Sequence, residues 1–259
     1  MSYRHVVALG SSFAAGPGIP PVVDAAAGRS GNNYAHLLAE ALGARLTDLT
    51  VSGATTATIL DQPQRAYRTT FPPQLSGVPD DADLVTVTAG GNDLQYLGTM
   101  LRLAWANTLR GRWWTRPLGN VLGRRPVPVL DPDLAVDGLR RVVEAVRTRA
   151  PGARVVLVDY LTVLEEKTPL GSDAPFSDAE RKALRALGRR VDGAFAVAAQ
   201  ATGADLVKAS VLSAGHGVGS PEPWVNGFVA GRRGATSSFH PNAAGMRAIA
   251  DELLRFVGP

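Results

Sequence analysis

The chain has no cysteine among its 259 residues. That excludes disulfide staples, thiolate nucleophiles and cysteine-ligated metal sites, and it fits a reducing compartment. The opening residues, "MSYRHVVALG", lack a basic segment followed by a signal-length apolar run, so the expected location is the cytoplasm, with export by another route left open. No window reaches the roughly 18 uncharged apolar residues that a membrane span requires. Charge is sparse at 19% of residues, and the net +4 reads as a solvated basic surface rather than a platform for nucleic acid, for which no motif is present. The four histidines are scattered and none pairs at helical spacing, so no metal site is expected. Internal repeats and long low-complexity tracts are also missing.

What remains is a regular alternation. Short β-rich runs fall at about 5–10, 45–51, 84–89, 154–160 and 204–209, with amphipathic stretches between them. Asn33 to Leu42 repeats apolar residues at helical spacing. Asp131-Pro132 supplies a capping acid and a proline for the first helical position of a helix ending near Arg149. Ser177 to Glu180 fits a capping box opening a long helix to about Ala201. Pro241 opens the last helix, to about Phe256. Such alternation predicts a parallel sheet with helices on both faces. The length suits one domain, 1–259, with one departure at 98–128. There, Trp105, Trp113 and Trp114 stand among arginines and prolines, as in an inserted lid or cap. Two readings stay open for that insertion: an apolar and aromatic lid that binds an acyl chain while its arginines meet anionic head groups, or tryptophans that pack it onto the domain and touch no ligand.

In parallel sheets, ligands bind beyond the carboxyl ends of the strands. Those ends carry Gly10-Ser11-Ser12, then Ser52-Gly53-Ala54, then Gly90-Gly91-Asn92-Asp93, then Asp159-Tyr160. Ser237-Ser238-Phe239-His240-Pro241 precedes the last helix. These are the residue types that ester hydrolysis needs. A serine hydroxyl becomes nucleophilic when a histidine takes its proton. The oxyanion is held by backbone N–H groups and an amide side chain. Gly53 lets the backbone approach closely, and Asn92 offers an amide donor.

In order and spacing these blocks resemble the SGNH, or GDSL-type, hydrolase superfamily. Gly10-Ser11-Ser12 matches the nucleophile block, Gly53 the second block, Gly90 to Asp93 the third in full, and His240-Pro241 the last. The resemblance implies a three-layer α/β/α, flavodoxin-like fold of about five strands. It also implies an esterase or lipase without cofactor, with Ser12 as nucleophile, His240 as base and an oxyanion hole of Ser12, Gly53 and Asn92. Its implied partner is a small ester, lipid included. There are two departures. Ser11 replaces the usual aspartate, and Ser237 stands where the family has its catalytic acid. Some actinobacterial-type members use a main-chain carbonyl there, so the expectation is a Ser12–His240 dyad oriented by the Ser237 carbonyl. A carbonyl only accepts, and so keeps the tautomer that leaves Nε2 free.

Other readings accompany this one. A carbohydrate O-deacetylase would share the blocks. A catalytically weak binding protein would explain the missing acid. His216 is a secondary candidate base and Asp159 a secondary candidate acid. Asp93 reads as structural, as do His5 and His36. Trp224, upstream of His240, is expected to form a wall of the pocket.

Overall fold

The computed structural model describes residues 3–168, 171–231 and 234–258. In chain order its elements are β1 (His5–Gly10), α1 (Ser12–Ala15), β2 (Val22–Asp24), β3 (Arg29–Ser30), α2 (Tyr34–Leu42), β4 (Arg45–Asp48), α3 (Thr56–Leu60), β5 (Gln64–Ala66) and β6 (Thr69–Phe71). A 3₁₀ turn at Gln74–Gly77 leads to β7 (Leu84–Thr88), α4 (Tyr96–Arg110), α5 (Arg116–Leu122), α6 (Asp133–Arg149) and β8 (Arg154–Val158). Then come α7 (Asp178–Thr202), β9 (Asp205–Val207), α8 (Ala209–Leu212), α9 (Gly234–Ser237) and α10 (Ala243–Val257).

Five strands form one parallel sheet in the order β4-β1-β7-β8-β9. Every residue of β1 and β7 is buried, as expected of strands covered on both faces. α2 packs with α10, and α6 with α7 and β8, which gives helix layers on either side of the sheet. This is the three-layer α/β/α arrangement expected from the sequence. The chain leaves β1 toward β4 and returns to the other side of β1 at β7. The strand order therefore reverses between β1 and β7, and the crevice beyond their carboxyl ends is where such sheets bind ligands.

The local signals explain most boundaries. Ser177 Oγ accepts from the Glu180 N–H at 3.3 Å while Glu180 returns a bond to the Ser177 N–H at 2.8 Å, the reciprocal box that starts α7. Asp131 caps the Asp133 N–H at 3.1 Å, and α6 starts one residue beyond Pro132. α10 is capped by Asn242, whose side chain accepts from the Gly245 N–H at 3.0 Å, so Pro241 precedes the helix rather than opening it. The stretch 98–128 is a helical hairpin, α4 folded against α5. Gly119 makes the close approach possible: a Cβ there would sit 2.6 Å from the Ala106 carbonyl oxygen.

Candidate active site

β1 ends at Gly10, where an added Cβ would lie 2.4 Å from the Thr88 carbonyl oxygen and φ is +149°. Only glycine fits there. A buried glutamine missed in the sequence fixes this point. Gln74 Oε1 accepts from the Gly10 N–H at 2.9 Å, and Gln74 Nε2 donates to the Gly10 carbonyl at 3.0 Å. The chain then enters α1 with Ser12 as its first residue. Ser11 Oγ bonds the Tyr160 hydroxyl at 3.0 Å, and that hydroxyl accepts from the Gly91 N–H at 3.3 Å. Tyr160 thus ties the Ser11-Ser12 turn to the Gly90–Asp93 loop. Burial pushes its hydroxyl up to about 12, so it stays neutral.

The loop after β4 is held the same way. Asp48 accepts from Thr50 Oγ1 at 2.6 Å and from Asn33 Nδ2 at 2.8 Å, while Arg29 donates to the Thr50 carbonyl. The Ser52 carbonyl takes Gln64 Nε2 at 2.8 Å. Gly53 follows with φ +86°, a left-handed conformation natural to glycine. Asn92 Nδ2 donates one of its two protons to the Ala54 carbonyl at 2.8 Å, which fixes the amide plane and leaves the second proton to point elsewhere. Asp93 accepts from the Thr56 N–H and hydroxyl at the start of α3, a structural role as expected.

His240 is buried, and its Nδ1 lies 3.0 Å from the Ser238 carbonyl oxygen. A carbonyl only accepts, so the proton is on Nδ1 and Nε2 carries the lone pair. This differs from the sequence expectation by one residue: the Ser237 carbonyl is taken by the His240 backbone N–H at 3.1 Å. The reason is local geometry. Phe239 has φ +60°, a left-handed conformation uncommon for a bulky residue, and it turns the Ser238 carbonyl toward the ring two residues on. Buried contacts with Phe176 and Phe228 hold Phe239 there. Ser238 Oγ completes the clamp, donating to the Gly234 carbonyl at 2.6 Å and accepting from the Val229 N–H at 2.9 Å. Ser238→Ala is therefore expected to lower kcat about tenfold with KM little changed, because the carbonyl loses its support. Ser237→Ala is expected to stay near wild type in the same steady-state assay.

Desolvation pushes His240 down from the ordinary 6.5 to about 4, against a smaller raising effect of the Ser238 bond. The ring is therefore neutral throughout the physiological range. The same burial withdraws folding stability as pH falls from 6.5 through 4, since only the unfolded chain gains a proton in that window.

Ser12, Gly53, Asn92 and His240 line one hollow of about 510 Å³. Val22, Ala25, Leu97 and Leu101 form an apolar part of its wall. Trp224 is not among its lining residues. It stacks on His216 with ring centroids 3.9 Å apart, and the His216 Nδ1 bonds the Glu222 carbonyl at 2.8 Å. Both lie outside the hollow. Asp159, the secondary candidate acid, does not meet His240 Nδ1 either: its carboxylate accepts from the Ser210 N–H and hydroxyl at the start of α8. His5 bonds Asp81 and Thr47 at the far end of β1.

A second hollow of about 480 Å³ lies across Tyr160 and includes Asp192. Burial, then the nearby Asp159 carboxylate, pushes Asp192 up from 3.8 to about 7. Between those values the folded chain holds an extra proton, so this group favours folding as pH falls and opposes it fully above 7. Asp192→Asn is expected to raise the melting temperature by a few degrees at pH 8 and to leave it unchanged near pH 4, as read by thermal denaturation.

A serine, a neutral histidine with its tautomer fixed, and three candidate oxyanion donors around one hollow are the groups that a serine hydrolase requires. The chain belongs to the GDSL-like lipase/acylhydrolase family, whose model matches residues 8–248, and it is a carboxylic ester hydrolase. It is 32% identical to Lipase 2 of Streptomyces coelicolor over 97% of this chain and 85% of that protein. It is 28% identical to a lipase of Streptomyces rimosus, over 92% and 81%. Among solved structures, phospholipase A1 from Streptomyces albidoflavus superposes with a TM-score of 0.75 at 22% identity, over 98% of this chain and 99% of that one. The extracellular lipase of S. rimosus gives 0.70 at 25%, over 97% and 99%. A Corynascus carbohydrate esterase of family 2 shares the fold at 0.54 and 19%, over 99% of this chain and 67% of that one.

Proposed function

We propose that the enzyme cleaves esters of acyl chains through an acyl-enzyme on Ser12, with His240 as base and the Ser238 carbonyl as its orienting group. The observation that carries this is the convergence of Ser12, Gly53, Asn92 and His240 on one partly apolar hollow. Nε2 of His240 takes the Ser12 proton as Oγ attacks the ester carbon. The N–H groups of Ser12 and Gly53 and the free Asn92 proton meet the oxyanion; each such donor contributes about 100- to 1,000-fold. The imidazolium then protonates the leaving alcohol. Water, deprotonated by the same ring, releases the acid. The Ser238 carbonyl stabilises the imidazolium by its dipole alone, without the charge of a carboxylate.

The apolar wall favours an acyl chain over a sugar ring. Lipase-named relatives support the same choice, while the carbohydrate esterase shares only the fold. The cytoplasmic location expected from the sequence stands against export, since the S. rimosus relative is an extracellular lipase and a chain without cysteine needs no particular redox compartment. No helix among the described residues is long and apolar enough to cross a membrane. The test is kcat/KM on p-nitrophenyl esters from acetate to palmitate. An optimum beyond acetate supports the acyl-chain reading. Turnover confined to acetate, together with release of acetate from acetylated sugars, would overturn it.

A further inference from the structure

Between Asp93 and Asp131 the chain carries six arginines and no aspartate, glutamate or lysine. The other 21 basic residues face all 23 acidic ones, so the positive balance of the whole protein resides in this segment. It is the α4–α5 hairpin with its flanks. α4 buries one face, including Leu97, Met100 and Leu103, and Trp105 packs edge-on against Phe228 at 5.4 Å. The tip does the opposite. Trp113 is 82% exposed and Trp114 61% exposed, and they contact each other edge to face at 5.7 Å. Neither lines the active-site hollow. Leu118 and Val121, one turn apart on α5, are exposed as well. Arg112 and Arg116 flank the tryptophans and are exposed.

We infer that the tip of the α4–α5 hairpin docks the enzyme on an anionic lipid surface, with Trp113 and Trp114 entering the headgroup region and the arginines meeting lipid phosphates. Indole rings are amphipathic and partition to membrane interfaces. Each basic residue brought near an anionic leaflet adds roughly fivefold in partitioning. A protein partner with an apolar groove would suit the tryptophans, but the exposed Arg112, Arg116, Arg124 and Arg125 match a surface of dispersed negative charge, while Arg102 and Arg110 are bonded within the hairpin. The hairpin also reaches the chemistry. Leu97 and Leu101 of α4 wall the active-site hollow, and the return segment puts Arg125 and Pro128 beside Asn92 around an adjoining hollow of about 530 Å³. The inference deepens the proposed function and rests on it for its purpose, because acyl-chain esters gather at interfaces.

Binding is measured without turnover, on the Ser12→Ala enzyme, so that it stands apart from the hydrolysis reading. Vesicles of phosphatidylcholine alone are compared with vesicles containing about 30% phosphatidylglycerol, by co-sedimentation and tryptophan emission. Expected is at least tenfold tighter binding to the anionic vesicles, weakened by salt, with emission shifted to shorter wavelength. W113S/W114S and R112Q/R116Q should each reduce binding about tenfold or more. W113F/W114F should bind but lose the emission shift. In the active background, the serine and glutamine variants should turn over a soluble, monomeric p-nitrophenyl butyrate as wild type does, which shows that they fold. Equal affinity for both vesicle types, or full binding by W113S/W114S, would overturn the inference. So would a dimer in gel filtration that W113S/W114S makes monomeric, which would give the tip to a second copy of the chain.

Discussion

Replacing Ser12 or His240 by alanine is expected to lower kcat/KM for ester hydrolysis by about 10⁴-fold or more, and the double variant should be no worse than either single one. The two act as a unit: an unassisted hydroxyl is a poor nucleophile, and a base without its nucleophile can only direct water. What survives is the contribution of the oxyanion donors and of binding, so residual turnover above the uncatalysed rate is part of the expectation. Steady-state kinetics on the best p-nitrophenyl ester provides the check. A loss that multiplied in the double variant would mean that the residues contribute independently. A large loss from Ser12→Ala with a small one from His240→Ala would hand the base to another group.

Asn92→Ala is expected to cost about 100- to 1,000-fold in kcat with little change in KM. The amide already spends one proton on the Ala54 carbonyl, so its plane is fixed before substrate arrives. Preorganised donors of this kind strengthen as charge develops on the oxygen, which is why the loss appears in kcat. Asn92→Asp sharpens the test. It preserves shape but replaces the donor with a negative charge near the oxyanion, so its loss should exceed that of alanine. An aspartate variant as active as wild type would remove Asn92 from the oxyanion site.

The sequence is most legible where one local rule decides the outcome. The buried strands read as continuous apolar runs, and their observed spans, such as His5–Gly10 and Leu84–Thr88, lie within or next to those expected. Capping residues mark α6 and α7. The site blocks could be placed because a parallel sheet brings successive strand ends to one edge, and Ser12, Gly53, Asn92 and His240 do share a hollow. The errors fall where long-range packing decides. Which carbonyl meets His240 depends on a left-handed Phe239, and nothing in the residue type phenylalanine announces that conformation. Trp224 is near His240 in sequence, yet it stacks on His216 and is not among the residues that line the hollow. Gln74 holds Gly10 from 64 residues away, a contact without a sequence pattern. The helices of 98–128 were obscured by Gly111, Pro117 and the arginines between them. Val22 and Tyr67, both lining the active-site hollow, come from two-stranded hairpins too short to show periodicity.

The central claim is that Ser12 is activated by a buried, neutral His240 held by a main-chain carbonyl. Its most direct test is the rate of covalent labelling by a fluorophosphonate as a function of pH, with the modified residue mapped by mass spectrometry. The account predicts a single adduct on Ser12. It also predicts a rate that stays level as pH falls through 6.5 and declines only toward about 4, where the buried ring takes its proton. No adduct, an adduct on another residue, or a decline centred at or above 6.5 would contradict it.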